Sequence, residues 1–563
     1  MELKTKIITT DILIIGGGAA GCFSALKASE NKSIKVLVAE KANIKRSGCL
    51  AAGVNALNAY IVDGEIPQSF LDYVKEEFYG VIREDLVYTI AERLNSVTKK
   101  VEEYGLPILK DGKGNYQSRG KRSIKINGEN IKPLLAEQLA KRDNIEVLNR
   151  VNITDYIVKE NKVIGAYGFS IKENIFYVIY SKATICATGG AAGIYKPNNA
   201  GFSRHKMWYS PFNTGAGYAM GIRAGAEMTT FEMRFIALRC KDTIAPTGTI
   251  AQGIRTPQIN GSGETYVRKY GNPTTINRLH STLMENMQGL GPCYLKTQGI
   301  SEEQEMDLLK AYLNMAPSQT LKWVENNTSP STENVEIDGT EPYIVGGHTA
   351  SGYWVDRNRK STLEGLYAAG DVTGGSPKKY VTGCFVEGEI ASEDALEYIK
   401  KQQLETLADS EINSKLEELN KFFLNEEVSM FIEDLEEEMQ TIMDEYAGGI
   451  SKYYRYNKES LIIAKTKIKE LFEKVNKLKA NDLHELLFIY EIIDRLQVSE
   501  VLIEHLLTRE ETRWRCYEEN IDFPERDDDN WFKYVNSVYK DGAIEIILRD
   551  IVGKDENYEH KNS

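Results

Sequence analysis

The sequence predicts an α/β fold in which a Rossmann-like nucleotide-binding domain carries an inserted α+β capping domain and precedes a C-terminal helical domain. The first indication is a short β-branched run, residues 11–15, which ends in a glycine-rich turn at residues 16–21 and leads into a helical pattern. Two later apolar runs, residues 183–190 and 365–371, also end in glycine turns. We therefore expect these two distant segments to return to the sheet that the first strand belongs to.

The length of the chain predicts several domains. At 563 residues it exceeds the roughly 250 to 300 residues at which a single core stops growing. Residues 235–343 are rich in Gly, Asn, Thr and Pro with weak periodicity, as expected of a cap inserted over a nucleotide-binding sheet. Charged segments with Leu and Ile at helical spacing follow, at residues 411–423, 459–472 and 483–496. The predicted domains are a nucleotide-binding domain in two segments (1–235 and 344–403), the cap inserted between them (236–343) and the helical domain (404–563).

Composition excludes several classes of protein. The net charge of −13 and the pI near 5.3 would repel phosphate backbones, so nucleic acid is not an expected partner. No run approaches the ~18 apolar residues of a membrane span. Residues 1–10 alternate charged and apolar side chains without a secretory apolar region, which predicts a cytoplasmic protein.

The seven cysteines are scattered and never spaced C-x-x-C. This pattern argues against disulfides, zinc and a cysteine-ligated iron–sulfur cluster, so we expect no metal site on this chain and mostly buried, reduced thiols. Any iron–sulfur cluster that supplies single electrons would therefore belong to another polypeptide.

The first glycine turn has the spacing of a dinucleotide site. Gly16 allows the tight turn, Gly18 lets the backbone approach a pyrophosphate, and Gly21 allows close packing of helix on strand. The helical pattern of residues 22–30, which follows Ala19, Ala20 and Gly21, presents N–H donors and positive potential to the phosphates. Glu40, nineteen positions after Gly21 and followed by Lys41, is placed to accept hydrogen bonds from the adenosine ribose.

The late turn at Gly370 and Asp371 favours FAD over NAD. A carboxylate that returns from late in the chain can accept hydrogen bonds from the ribityl chain of a flavin, a group that NAD lacks. An ordinary Gly-Asp turn at the end of a strand is the alternative.

Four segments, residues 46–58, 187–190, 346–348 and 370–371, resemble the fumarate reductase and succinate dehydrogenase flavoprotein superfamily. Within it the chain is similar to the alpha subunits of adenylylsulfate reductases, through residues 207–209, 213–217, 234–242, 314–318, 341–343, 512–514 and 522–524. The resemblance implies a flavin site that includes Ser47, Gly48, Thr188, Gly189 and Glu387.

Departures from the dicarboxylate enzymes bear on the cofactor and the substrate. Many of those enzymes attach FAD covalently to a histidine where this chain has Gly48, so non-covalent FAD is implied. Their His-Pro-Thr-Gly segment and their substrate-binding Asn-Arg-Leu-Gly-Gly segment are replaced here by residues 241–243 and 379–383. These replacements weaken a fumarate assignment without excluding it.

The resemblance also implies which residues act on the substrate. Arg239 would hold the sulfonate oxygens, His348 would titrate near neutrality and donate to an oxygen, and Trp208 would lie beside the flavin ring. Asn58 and Glu129 match two further pocket residues. For Arg239 the alternative is an ion pair with Glu232 or Asp242. For His348 and Trp208 it is packing in the core, and for Asn58 and Glu129 a structural role. Lys378 and Lys379 could either tune the flavin or form a solvated pair.

The implied activity is the two-electron reduction of the small anion adenylylsulfate to sulfite and AMP, with electrons from an iron–sulfur, ferredoxin-like beta subunit. One alternative is a fumarate reductase-like FAD oxidoreductase that acts on another small acid. A second is a flavoprotein that serves as an electron relay or assembly subunit.

Overall fold

The structure, a computed structural model, describes residues 3–198, 207–425 and 430–560, apart from the side chain of Asn314. The strands are β1 (Lys4–Ile15), β2 (Val36–Glu40), β3 (Val54–Leu57), β4 (Ile124–Gly128), β5 (Ile145–Asn149), β6 (Val151–Lys159), β7 (Lys162–Ser170), β8 (Ile175–Cys186), β9 (Met228–Thr229), β10 (Leu238–Cys240), β11 (Gln258–Ile259), β12 (Tyr294–Leu295), β13 (Val335–Gly339), β14 (Gly352–Tyr353), β15 (Leu366–Ala368), β16 (Lys533–Lys540) and β17 (Ala543–Asp550).

The helices are α1 (Ala19–Ala28), α2 (Pro67–Glu77), α3 (Glu84–Glu103), α4 (Ile131–Ala140), α5 (Ala216–Arg223), α6 (Thr275–Met287), α7 (Glu302–Met315), α8 (Pro317–Glu325), α9 (Tyr380–Ile399), α10 (Asp409–Leu424), α11 (Ile432–Tyr446), α12 (Lys458–Val475), α13 (Leu483–Thr508) and α14 (Asp528–Trp531). None of these described helices is long and apolar enough to cross a membrane.

The central sheet has the order β5-β2-β1-β8-β7-β6, and β15 pairs with the end of β8. The pairs around β1, β2, β5 and β15 are parallel, whereas β6, β7 and β8 form an antiparallel meander. In β1, Ile12, Leu13 and Ile14 are fully buried, as a strand covered on both faces requires. The predicted return of two distant segments to one sheet is confirmed, and so is the α/β class.

Helices α1 and α9 pack against each other on this sheet. The rings of Phe23 and Phe385 stack with centroids 4.0 Å apart, and Ser24 Oγ donates to the carbonyl of Gly388 at 3.1 Å. Chain segments far apart in sequence therefore form one core, and the glycine turns at the strand ends lie along its edge.

The inserted region has its own four-stranded sheet, in the order β10-β13-β12-β11, and its own apolar cluster. Tyr312 of α7 and Trp323 of α8 pack edge to face with centroids 5.8 Å apart and are both buried. Strand β10 places Arg239 opposite Asp338 of β13. The exact domain boundaries stay predictions.

The C-terminal region differs from the all-helical domain that its sequence pattern predicts. Besides α10 to α13 it contains the antiparallel hairpin β16–β17, and β16 pairs with β9, so that the order β14-β9-β16-β17 joins two distant regions of the chain in one sheet. The sequence pattern does not reveal this hairpin, because one of its strands is only partly buried and shows weak alternation.

A buried ion network fixes this region to the rest of the protein. Arg509 is fully buried, and its guanidinium binds Glu232 and Glu511, each at 2.8 Å. His505 lies 3.2 Å from the second oxygen of Glu232. Buried ions of this kind are costly to leave unpaired, so each partner depends on the others.

We expect the substitution Arg509→Ala to destabilise the protein by about 3–5 kcal/mol, because it leaves the buried Glu232 carboxylate without its guanidinium. The control is Lys400→Ala, which removes a lysine from the surface pair with Glu397, whose side chains are 59% and 72% exposed, and should cost less than about 0.5 kcal/mol. Urea denaturation followed by circular dichroism measures both free energies of unfolding. Equal losses in the two variants would contradict this account of the network.

Candidate functional site

The first glycine turn lies where β1 ends and α1 begins. Gly16 has φ of +98°, and a Cβ at Gly21 would overlap the carbonyl oxygen of Gly16, so helix and turn approach as closely as backbone allows. No side chain caps α1 at Gly18. The N–H groups of the first helical turn are therefore available to an anion.

The space in front of this turn is open. A Cβ added at Gly18 would meet no atom within 4 Å, and one at Gly48 would meet only the Cα of Gly18, at 4.0 Å. Gly16, Gly17 and Gly21 are by contrast tightly surrounded. Gly16, Gly17 and Gly21 are thus required by the packing of the fold. Gly18 and Gly48 instead face an open space lined by backbone, which we name the cradle and which fits a pyrophosphate.

Glu40 organises the loop that faces the cradle. Its carboxylate accepts hydrogen bonds from the N–H groups of Gly17 at 2.8 Å and Ala42 at 2.7 Å, and from Ser47 Oγ at 3.0 Å. Lys41 points away from Glu40 and pairs with Glu491 of α13 at 2.9 Å. Glu40 and Ser47 thus lie beside the cradle, whereas the charge of Lys41 is neutralised by its ion pair with Glu491.

The late turn packs directly against the start of α1. Gly370 has φ of +82°, and a Cβ there would lie 2.8 Å from the Cβ of Ala20. Asp371 follows, and its carboxylate accepts a hydrogen bond from Tyr209 at 2.6 Å. Burial raises the pKa of Asp371. The first glycine turn and the late turn therefore meet at the start of α1.

Glu387 lies behind the late turn rather than in the cradle. Its fully buried carboxylate accepts hydrogen bonds from the Gly370 N–H at 2.9 Å, from Ser376 at 2.9 Å and from Lys379 at 3.0 Å. Arg359 adds an ion pair at 3.3 Å. Protein donors thus approach both oxygens of Glu387, as they do for Glu40, and the flavin contact of Glu387 stays a prediction.

The third turn follows β8. Gly189 has φ of +78°, and a Cβ there would clash with the side chain of Asn213. Asn213 in turn donates to the carbonyl of Thr188 at 2.9 Å. Thr188 and Gly189 thus form the floor between the other two turns, at the ends of adjacent parallel strands.

An aromatic and cationic group of side chains lies next to the late turn, and we name Trp208, Phe235, Tyr343, His348 and Arg239 the aromatic–arginine cluster. Trp208 is half-buried, and its ring lies 4.6 Å from that of Phe235 and 4.9 Å from that of His348. Its backbone N–H donates to the hydroxyl of Tyr343 at 3.0 Å. Trp208 is therefore held from several sides in one orientation.

Arg239 stacks over Trp208, with its guanidinium carbon 5.0 Å from the ring centroid. Its Nε is buried and has no hydrogen-bond partner among the described residues. Burial lowers the pKa of Arg239 to about 10. The alternative ion pairs are absent from the described part of the chain, since Glu232 binds Arg509 and Asp242 binds Lys322.

His348 is neutral, which corrects the expectation that it titrates near neutrality. Burial, together with the charges of Lys378 and Arg239, holds its pKa well below the usual value. Its Nδ1 is buried without a partner among the described residues. His348 thus offers a neutral ring nitrogen next to two cations.

The two lysines of the late turn are buried, not solvated. Lys379 donates to Gly370 O and Thr373 O, each at 2.9 Å, in addition to its pair with Glu387. Lys378 donates to Thr275 of α6 at 2.8 Å and lies 3.4 Å from Glu77. Lys379 is therefore a structural cation, and Lys378 is the one whose charge reaches His348.

Asn58 and Glu129 have different environments. Asn58, just after β3, accepts a hydrogen bond from Arg119 at 2.7 Å. Glu129 is exposed, and its backbone carbonyl, rather than its carboxylate, accepts from Arg46 at 3.0 Å. No described contact joins Glu129 to the aromatic–arginine cluster. Arg119 and Phe235 were not singled out from the sequence, because nothing local distinguishes them.

Two family models match the chain. The FAD binding domain model matches residues 11–384, and the model described as Fumarate reductase flavoprotein C-term matches residues 436–561. Adenylylsulfate reductase subunit alpha of Megalodesulfovibrio gigas is 28% identical, over 94% of this chain and 93% of that protein.

Solved structures give the same likeness. Adenylylsulfate reductase from Archaeoglobus fulgidus is 32% identical, with a TM-score of 0.94 over 99% of this chain and 98% of that one. A structure described as adenosine-5-phosphosulfate reductase in complex with sulfite (covalent adduct) is also 32% identical, with a TM-score of 0.94 over 98% and 97%. The resemblance drawn from sequence motifs is confirmed.

Gly18→Ala tests the cradle. Because a Cβ fits there and φ is −73°, the apoprotein should keep its stability to within about 0.5 kcal/mol, while FAD affinity should fall about tenfold or more as the methyl group displaces the pyrophosphate. Urea denaturation and the quenching of FAD fluorescence measure the two effects. Gly21→Ala is the contrasting variant, since its Cβ overlaps Gly16 and should destabilise the fold itself. Unchanged FAD binding by Gly18→Ala would refute the assignment.

His348 should make the protein less stable in acid. The unfolded chain takes up a proton on His348 as the pH falls below about 6.5, whereas the folded chain keeps the ring neutral, so acidification favours unfolding. Between pH 7.5 and pH 5.5 this contribution is at most about 1.4 kcal/mol, the value for a folded ring that takes up no proton in this range. Denaturation of the ligand-free protein should show this loss relative to His348→Gln. An identical pH dependence in both proteins would mean that folded His348 titrates normally.

Proposed function

The chain belongs to the FAD binding domain family, and we propose that it is the catalytic flavoprotein of an adenylylsulfate reductase, which reduces adenylylsulfate to sulfite and AMP. The observation that carries this proposal is the pair of buried nitrogen atoms beside Trp208, Arg239 Nε and His348 Nδ1, that have no hydrogen-bond partner among the described residues. The likeness to adenylylsulfate reductases along nearly the whole chain supports it.

FAD supplies two-electron chemistry when it is bound, and the residues that would hold it are Gly18, Gly48, Glu40, Ser47 and Asp371. Gly48 has φ of +67°, a region that favours glycine. It also stands where covalently flavinylated relatives carry histidine, which supports non-covalent binding.

Arg239 is suited to orient the sulfonyl group. A guanidinium presents a planar fork of N–H donors to an anion, and stacking on Trp208 fixes the plane of that fork. In a buried pocket such donors stabilise charge that develops on oxygen, because they need not reorganise during the reaction. Neutral His348 adds one N–H donor without adding charge.

The chemistry of two lysines argues against a dicarboxylate substrate. Lys379 stands in the segment that replaces the substrate-binding arginine of fumarate reductases, yet its amine is bound by Glu387 and two carbonyl oxygens. Lys241, in the other replaced segment, pairs with Glu336 on the surface. Neither amine is directed toward the aromatic–arginine cluster.

The electron donor in this proposal is an iron–sulfur beta subunit that works with this chain in the cytoplasm. Scattered cysteines without cluster spacing support a separate cluster protein. Trp208 is half-buried next to the proposed flavin position, so its ring gives electrons a short route from the surface.

Anaerobic turnover of the FAD-loaded protein with reduced methyl viologen tests the proposal, with adenylylsulfate and fumarate compared as acceptors. Formation of sulfite and AMP is the expected result. Oxidation of the dye by fumarate alone would overturn the proposal in favour of a fumarate reductase, and oxidation by neither acceptor would favour an electron-relay role.

Arg239→Ala should lower kcat/KM for adenylylsulfate by about 10²- to 10³-fold, since it removes a donor to the reacting group. Lys241→Ala is the matched control, because it removes a neighbouring positive charge that is 44% exposed and should leave turnover unchanged. The same viologen assay measures both variants, and FAD absorbance confirms loading. Equal activity of Arg239→Ala and the unmodified protein would remove Arg239 from the substrate site.

A further inference from the structure

Arg119 is a second guanidinium with an unused donor. It lies on the excursion between Ile108 and Ile126, which folds back on itself through bridges between Lys110 and Tyr116 and between Ser118 and Ile124. The backbone N–H of Arg119 donates to Ser123 O at 2.8 Å, which closes the tip of this excursion. The backbone thus holds Arg119 at a defined position.

Two asparagines hold the guanidinium from one side. Nη2 donates to Asn58 Oδ1 at 2.7 Å and Nη1 to Asn55 Oδ1 at 3.4 Å. Nε is buried and has no partner among the described residues. Both asparagines belong to β3 or directly follow it, and β3 continues the loop that contains Gly48.

No carboxylate of the described residues forms an ion pair with Arg119, although its guanidinium is largely removed from water. Burial lowers the pKa of Arg119, and the phenol of Tyr380 offsets part of that effect. A cation in such surroundings is costly unless an anion compensates it. Most other buried arginines of the described chain have that anion: Arg83 binds Asp85, Arg359 binds Glu387 and Arg509 binds Glu232.

Arg119 adjoins the aromatic–arginine cluster through Tyr380. The Tyr380 phenol lies near enough to raise the pKa of Arg119, and its ring lies 5.2 Å from the ring of His348. His348 then contacts Trp208, over which Arg239 stacks. Two guanidinium groups without carboxylate partners are thus connected through three neighbouring rings.

We propose that Arg119 is a substrate-binding residue that pairs with the phosphoryl group of adenylylsulfate, while Arg239 takes the sulfonyl group. This assignment rests on the proposed function. Adenylylsulfate carries one negative charge on each of its two acidic groups, so two unpaired guanidinium groups match its charges one to one. Asn55 and Asn58 hold one side of the Arg119 fork and leave Nε–H and a further N–H for a phosphoryl oxygen pair.

The test measures AMP binding to the FAD-loaded protein by isothermal titration calorimetry. Arg119→Ala should raise the Kd for AMP about tenfold to a hundredfold, as expected for the loss of a charged hydrogen bond. The Kd for sulfite, measured from flavin absorbance, should stay unchanged because sulfite lacks the phosphoryl group. Arg239→Ala should show the reverse pattern.

Lys121→Ala is the matched control, since it removes one positive charge from an exposed position on the same excursion and should leave both constants unchanged. Arg119→Lys should restore only some of the AMP affinity, because an ammonium lacks the planar fork. FAD loading and thermal unfolding of each variant confirm that the fold is intact.

The outcomes separate this inference from the proposed function. If the unmodified protein reduces adenylylsulfate and Arg119→Ala binds AMP equally well, the assignment of Arg119 is wrong and the function stands. If AMP binding depends on Arg119 but adenylylsulfate is not reduced, the function is wrong and the phosphoryl site stands. Failure of the unmodified protein to bind AMP would overturn the assignment of Arg119.

Discussion

The close approach of helix α1 to two glycine turns is the constraint on which the site depends. Gly21 has no Cβ to strike the Gly16 carbonyl, and Gly370 has none to strike Ala20. A Cβ at Gly388 of α9 would overlap the carbonyl of Ala20, so a third glycine lets α9 join the same junction. Because three backbones meet at contact distance, the N–H groups of α1 and the carboxylate of Asp371 face the same cradle. The buried carboxylate of Glu387 accepts a hydrogen bond from the Gly370 N–H and pairs with Lys379, which holds the late turn in place.

The C-terminal region is joined to the candidate site through one buried arginine. Arg234 precedes Phe235 and lies fully buried, where it donates to the carbonyls of residues 447, 448, 454, 516 and 517. Tyr517 packs against Phe235 with ring centroids 5.7 Å apart. The segment that leads to Arg239 is therefore held by backbone atoms from the far end of the chain. Loops of the C-terminal region, which looks like an appendage in the sequence, therefore hold the segment that leads to the candidate site.

Local spacing was sufficient to predict the nucleotide turn, because Gly16, Gly18 and Gly21 act on neighbours within the same strand and helix. It was not sufficient for the hairpin β16–β17, whose strand β16 also pairs with β9, some three hundred residues earlier in the chain. The burial of Lys379 and Glu387 could not be predicted from the sequence for a similar reason. Charged residues are usually exposed to solvent, and only the folded chain brings these two together as a buried ion pair. Arg119 shows the limit most clearly. Its importance lies in a missing partner, and a missing partner leaves no pattern in the sequence.

The neutrality of His348 follows from the cations around it. Lys378 and Arg239 both disfavour an imidazolium, and burial removes the water that would otherwise screen them. A protonated His348 would add one more positive charge to a site that already contains Lys378, Arg239 and, in our proposal, Arg119. With His348 neutral, the ring can donate one hydrogen bond without adding charge. Although the chain has a net charge of −13, the cations of this pocket can attract an anion without a group that titrates near neutral pH. The affinity of the pocket for its anion should therefore change little with pH across the neutral range.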